Sequence, residues 1–203
     1  MKLPKRSHRQ LGAVLLVSTL LLSGSSATPT PSLQTWGEVV SGLQMAIYLD
    51  QAKTIPSKLP KFRVELRNAG ENDLVLNLGI MLANGKRQYP SAVFLTLTDA
   101  QAKSRRLDLL GPAGIAGRSD PFVLPIPVGA AFSIPVDLSK YAAVASKEFD
   151  YKPQPGAYSI EAQFTGSGVT QQEANLDVKG IALMPYWKGT VTSNQLRFEI
   201  PNQ

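Results

Sequence analysis

The chain has 203 residues, 43% hydrophobic and 18% charged, with 16 Gly, 15 Pro, a single His and no Cys. That length and apolar share suffice for one domain with its own core, and they fit neither a disordered chain nor a bundle of membrane helices. The absence of Cys excludes disulfides, thiolate nucleophiles and redox dithiols.

In chain order, Lys2, Lys5, Arg6 and Arg9 make a basic start, residues 11–24 an apolar run, and Ser25, Ser26 and Ala27 a small-residue cleavage site. The pattern predicts a secretory signal peptide over 1–27, cut after Ala27, and a protein that is periplasmic or secreted with no integral membrane span after cleavage. An exported chain without cysteine points to a bacterial source. Cleavage lowers the formal charge from +6 to +2, since four of the 21 Lys and Arg leave and 15 Asp and Glu remain. A nearly balanced chain is not expected to bind nucleic acid.

Residues 28–37, rich in Thr, Pro and Ser, read as a tether, and 38–203 as the folded domain. Leu43, Met45, Ile47 and Leu49 alternate with Gln44, Ala46, Tyr48 and Asp50 as a half-buried strand does, and Phe62, Val64 and Leu66 repeat the pattern. Residues 68–73 carry turn chemistry. A third strand follows, with Leu74, Leu76, Leu78, Ile80 and Leu82 on one face, and ends at the Asn84-Gly85 turn signal.

Residues 92–98 and 105–110 predict a hairpin, and 111–121 a Gly- and Pro-containing loop. Phe122, Leu124 and Ile126 form a short strand; Phe132, Ile134, Val136 and Leu138 form another. Pro135, on its outward side, requires an edge position or a bulge. One short helix, a turn or two, is expected within 139–148, where alternation lapses. Tyr158, Ile160, Ala162 and Phe164 resume it, and 186–192 with Leu196, Phe198 and Ile200 close the chain. The expected fold is an all-β antiparallel sandwich of about seven to nine strands.

The run Pro155-Gly156-Ala157-Tyr158-Ser159-Ile160-Glu161-Ala162 resembles the entrance to the penultimate strand of immunoglobulin-like and fibronectin-type domains. There the Tyr bonds its hydroxyl to upstream backbone. Trp187-x-Gly189-x-x-x-Ser193-Asn194 with Leu196-x-Phe198 is similar to the last hairpin of exported bacterial immunoglobulin-like domains, and 62–78 resembles two earlier strands of that class. The resemblance implies an immunoglobulin-like sandwich, with Tyr158 and Trp187 as structural residues. It leaves function open, because the fold hosts adhesion, inhibition, scaffolding and ligand binding. The inter-sheet disulfide and a Trp in the third strand, marks of antibody-type domains, are missing.

Beyond the signal no His remains, so a Ser-His-acid triad or a His zinc site cannot be assembled. Residues 111–117 lack the spacing of a phosphate- or dinucleotide-binding loop. The acid pairs Glu71/Asp73, Glu148/Asp150 and Glu173/Asp177 fall in turns, where they read as solvated side chains. No catalytic residue, metal or cofactor is assigned.

The candidate binding residues are Ile115, Arg118 and Asp120 in the long loop, with Tyr48 and Tyr186 as aromatic contacts. They fit a noncatalytic binding module whose partner is an envelope or extracellular protein. Two alternatives stay open: a small protease inhibitor presenting the 111–122 loop, and a carbohydrate-binding module using exposed rings drawn from Trp36, Tyr48, Tyr89, Tyr151, Tyr186 and Trp187.

Overall fold

The alternating segments of the sequence are strands. A computed structural model describes residues 35–50, 59–82, 85–111, 119–167 and 186–202, all within the compact unit Leu33–Gln203. The expected strands are β1 (Leu43–Leu49), β2 (Lys61–Asn68), β3 (Leu74–Leu82), β5 (Val93–Asp99), β6 (Ser104–Leu109), β7 (Ser119–Ile126), β8 (Ala131–Asp137) and β10 (Gly156–Gly166). The chain ends in β11 (Gly189–Thr192) and β12 (Leu196–Ile200). Two short strands, β4 (Arg87–Tyr89) and β9 (Tyr141–Ala142), bring the described residues to twelve, more than the seven to nine expected. Both are too short to show an alternation of their own. The segment expected to be helical holds two 3-10 turns, Leu138–Lys140 and Val144–Ser146, on either side of β9.

All strand pairs are antiparallel. One sheet runs β1-β2-β8, a second β4-β3-β7, and the largest β11-β10-β5-β6-β9, with β12 also on β10. A single core cluster joins them: Leu43, Met45 and Ile47 of β1, Phe62 to Leu66 of β2, Leu76 and Leu78 of β3, Val93 to Leu97 of β5, and Ile160 to Phe164 of β10. Phe62 meets Phe198 edge-on at 4.9 Å, tying β2 to β12 across the interior.

The last hairpin that the resemblance implies is not formed. β11 pairs with residues 163–166 of β10 and β12 with residues 156–160, on the same side of it, so the two are successive pieces of one interrupted strand. Ser193 and Asn194 cause the interruption. The Ser193 hydroxyl accepts from the Ala162 N–H at 2.9 Å, keeping β10 satisfied through the break. Asn194 turns to β1: its Oδ1 accepts from Ile47 N–H at 2.9 Å and its Nδ2 donates to Ile47 C=O at 3.1 Å. One side chain thus does for β1 what a neighbouring strand would do. Asn194→Ala should cost about 1–3 kcal/mol in chemical denaturation, and the Ile47 amide should exchange faster than its neighbours in β1. The tyrosine feature does hold, since the Tyr158 hydroxyl donates to Gln154 C=O at 2.9 Å.

The β2–β3 and β7–β8 connections lie side by side, fastened by Asn68. This residue is fully buried, whereas the sequence reads it as the first residue of a turn. Its Nδ2 donates to Asn72 C=O at 2.8 Å and Ile126 C=O at 2.9 Å, and its Oδ1 accepts from Gly70 N–H. From that point β2 and β8 continue as one pair and β3 and β7 as another, in different sheets.

Candidate functional site

A cleft of about 450 Å³ is lined by residues of both strand pairs. Phe132 to Asp137 of β8 line it, with Phe62 of β2, Phe122 of β7, Tyr89 and Pro90 at the end of β4, and Leu109, Leu110, Lys140 and Tyr141 beside β6 and β9. Phe122 and Phe132 pack edge-to-face with centroids 6.1 Å apart. A bulge in β3 helps to set the β4 wall: the β3–β7 register shifts between Asn77 and Ile80. There Gly79 has φ +135°, and a Cβ on it would lie 2.4 Å from the Tyr89 carbonyl oxygen. Only glycine fits that turn.

β8 forms one wall and is an edge strand, paired with β2 alone among the described strands. Asn68 N–H donates to Ala130 C=O. In the observed register, Phe132, Ile134 and Val136 therefore turn their backbone groups to β2, and Ser133, Pro135 and Asp137 turn theirs to the open side. Pro135 thus removes a donor from the exposed edge, which confirms its expected edge position. Pro125 does the same on β7, because Val75 C=O opposite it accepts from Trp187 N–H instead. Such prolines discourage strand addition by another copy. Pro135→Val restores an outward N–H, and sedimentation should show stronger concentration-dependent self-association than the parent's.

Three of the four charged residues lining the cleft, Asp50, Lys61 and Asp137, are held in pairs. Arg63 Nη2 lies 3.2 Å from Asp50 Oδ2, and Lys61 Nζ lies 3.2 Å from Asp137 Oδ2. Partial burial pushes the Asp137 carboxyl up, but hydrogen bonds from Ser139 and the contact with Lys61 outweigh it and leave it below the ordinary carboxylate range. A lowered carboxyl stabilises the fold fully above its unfolded value, and the contribution disappears as pH falls through the folded one. Asp137→Asn should therefore lower stability at neutral pH and flatten its acid-side decline, read from denaturation midpoints at a series of pH values.

Of the residues that the sequence puts forward, Ile115 and Arg118 lie outside the described residues. Both anchors of that segment, Leu110 and Phe122, line the cleft. Asp120 is corrected: it is not a loop tip but part of β7, opposite Met81, because β3 is long enough to pair as far as Ser119 once the bulge has shifted the register.

Tyr48 lies on β1 with its hydroxyl 3.3 Å from Glu65 Oε2, and burial pushes its phenol pKa up. Tyr186 forms an isolated parallel bridge with Val75. Neither is among the residues lining the cleft. Trp36 lies under the Arg67 guanidinium and Tyr151 under that of Arg105. Trp187 is buried against Phe164. Among the outward charges of β2, Arg67 also reaches Gln44. Of the acid pairs, Asp73 accepts from the Val128 N–H and Glu148 lies 3.4 Å from Arg105, while Glu173 and Asp177 lie outside the described residues. Among the described residues, no helix is long and apolar enough to cross a membrane.

The residues missed by sequence reasoning are the lining itself. Phe122, Phe132 and Ile134 alternate like any core face, and their position beside a cleft depends on where two strand pairs part, which is a long-range property. Lys140 and Tyr141 fall in the segment read as helical.

No protein family profile and no curated protein matches the chain. Among solved structures it is similar to structural genomics target SoR45, with a TM-score of 0.34 and 12% identity over 81% of this chain and 91% of that one. It is similar to the putative ApaA protein from Bordetella pertussis, with a TM-score of 0.36 and 11% identity over 84% and 99% of the two chains. A third similar chain is AvmM, described as catalysing macrocyclization in alchivemycin A biosynthesis, with a TM-score of 0.34 and 14% identity over 84% and 97%. Likeness at this level assigns neither fold nor activity; the all-β antiparallel architecture rests on the strands themselves.

Proposed function

We propose that this protein is an exported, noncatalytic binding module and that it holds its ligand in the cleft between β8 and β7. The observation behind the reading is the composition of that cleft: an apolar floor of Phe122, Phe132, Ile134, Val136 and Leu109, with ionic groups among its other lining residues. Small-molecule sites are usually concave, mainly apolar and about 300–1,000 Å³ in volume, with a few polar groups that set orientation. Leu110, at the cleft, is an exposed large apolar residue, which suits an apolar ligand entering there. The two carboxylates in the lining, Asp50 and Asp137, both sit in ion pairs. A carboxyl held below its ordinary range, as Asp137 is, suits a fixed charge rather than a proton donor. The outward prolines of β7 and β8 favour a ligand seated inside the cleft over a strand added along its edge.

Screening apolar fragments against methyl- and aromatic-labelled protein tests the reading. Shifts should concentrate on Phe122, Phe132, Ile134 and Leu109, and the fragments should be recovered chemically unchanged. Shifts clustered on Tyr48 and Tyr186 with a sugar would transfer the function to a carbohydrate-binding surface. Turnover of a fragment would overturn the noncatalytic assignment.

A further inference from the structure

Two features of the cleft are not explained by its apolar floor. Tyr141 is 5% exposed and lines the cleft, and none of the hydrogen bonds among the described residues involves its hydroxyl, whereas those of Tyr48 and Tyr158 are both bonded. The Tyr141 oxygen is not among the buried unpaired polar atoms of the described residues, so the small exposure of this residue includes its hydroxyl, at the cleft. Burial pushes the Tyr141 phenol far above its ordinary value, so it stays protonated and remains a donor. Lys140, next to it, also lines the cleft and, unlike Lys61, Asp50 and Asp137, is in no ion pair among the described residues. The lining therefore has one ammonium outside the ion pairs of the described residues and one uncommitted donor, both beside an apolar floor.

We propose that the cleft takes an amphiphilic carboxylate, a medium-chain aliphatic acid in its ionised form. Its hydrocarbon chain would pack on Phe122, Phe132 and Ile134, one carboxylate oxygen would accept from the Tyr141 hydroxyl, and the Lys140 ammonium would balance the charge. A cleft of this volume has room for about a dozen non-hydrogen atoms. An acceptor there would engage a hydroxyl that no group among the described residues bonds and that the cleft exposes. A positive ligand would instead meet the Lys140 ammonium. The assignment rests on the cleft being the binding site, and the test separates the two.

The purified protein is titrated at low salt and neutral pH with decanoate, decan-1-ol and decylamine, each below its aggregation concentration. Affinity is read by calorimetry and location by the signals of Phe122, Phe132 and Ile134. Decanoate should saturate those signals and bind more tightly than decan-1-ol, with decylamine weakest. Lys140→Gln should weaken decanoate about fivefold and leave decan-1-ol unchanged, removing the preference between them. Tyr141→Phe, which keeps the ring, should weaken both oxygen-bearing ligands about fivefold. Equal binding of all three ligands at the same signals, or decanoate affinity unmoved by both substitutions, would overturn the carboxylate assignment and leave the cleft as the site. Failure of every ligand to move those signals would overturn both.

Discussion

Asn68→Asp should destabilise the protein at neutral pH by about 4 kcal/mol or more. The substitution keeps the acceptor that binds Gly70 N–H but replaces a two-donor amide with a carboxylate facing the carbonyls of Asn72 and Ile126. Asn68 is fully buried, so the new charge is cut off from water and faces two carbonyl oxygens. Asn68→Ala should cost less, about 2–4 kcal/mol, because it leaves groups unpaired without adding charge. The sign of the pH dependence separates the two variants. A carboxyl in this position has a raised folded pKa, and its protonated form recovers one donor. The Asp variant should therefore regain part of its stability as pH falls through that raised value, while the Ala variant shows no such recovery. Denaturation midpoints at unchanged slope are the measurement. An Asp variant as stable as the parent at neutral pH would mean that Asn68 does not fasten the two connections.

Trp187→Ala is expected to cost about 3–5 kcal/mol. The indole is buried and stacks on Phe164 with centroids 5.5 Å apart. Its Nε1 donates to Ser41 C=O at 3.1 Å, and its backbone N–H donates to Val75 C=O at 2.9 Å. Contacts to β10, to the residues before β1 and to β3 therefore converge on one residue. Gly166 makes room for it, since a Cβ there would lie 2.6 Å from the indole Cε3 and 2.7 Å from the Trp187 carbonyl oxygen. Gly166→Ala should also destabilise, by about 1–3 kcal/mol, through overpacking. Trp187→Phe keeps the stack and the backbone bond but loses the Ser41 bond, so it should fall between the parent and the Ala variant. If Trp187→Ala unfolds at the parent's midpoint, the indole is not part of the core.

The sequence announces strands where one face is buried and the other solvated, as in β2, where Phe62, Val64 and Leu66 are buried between half-buried charged residues. It also announces Pro135 at an edge, because a missing N–H has a local meaning. Local patterns run out where one residue does the work of an absent strand. Ser193 and Asn194 look like the turn of a closing hairpin, yet they bond to Ala162 and Ile47. Asn68 looks like the opening of a surface turn, but its depth comes from packing against residue 126, which is distant in sequence. The cleft is harder still to read. Phe122 and Phe132 have ordinary core spacing, and only the parting of β7 from β8 leaves space beside them. Tyr141 and Lys140 carry no signal that would distinguish them from neighbours in an Ala-rich stretch.

The cleft requires β8 to be an uncovered edge. Residue-by-residue amide hydrogen exchange on the free protein tests this most directly. Amides of Phe132, Ile134 and Val136 should exchange slowly, because they face β2, and that of Ser133 should exchange rapidly, because it faces the open side. Uniform slow exchange along β8 would show that another strand already covers this edge, and would contradict the account.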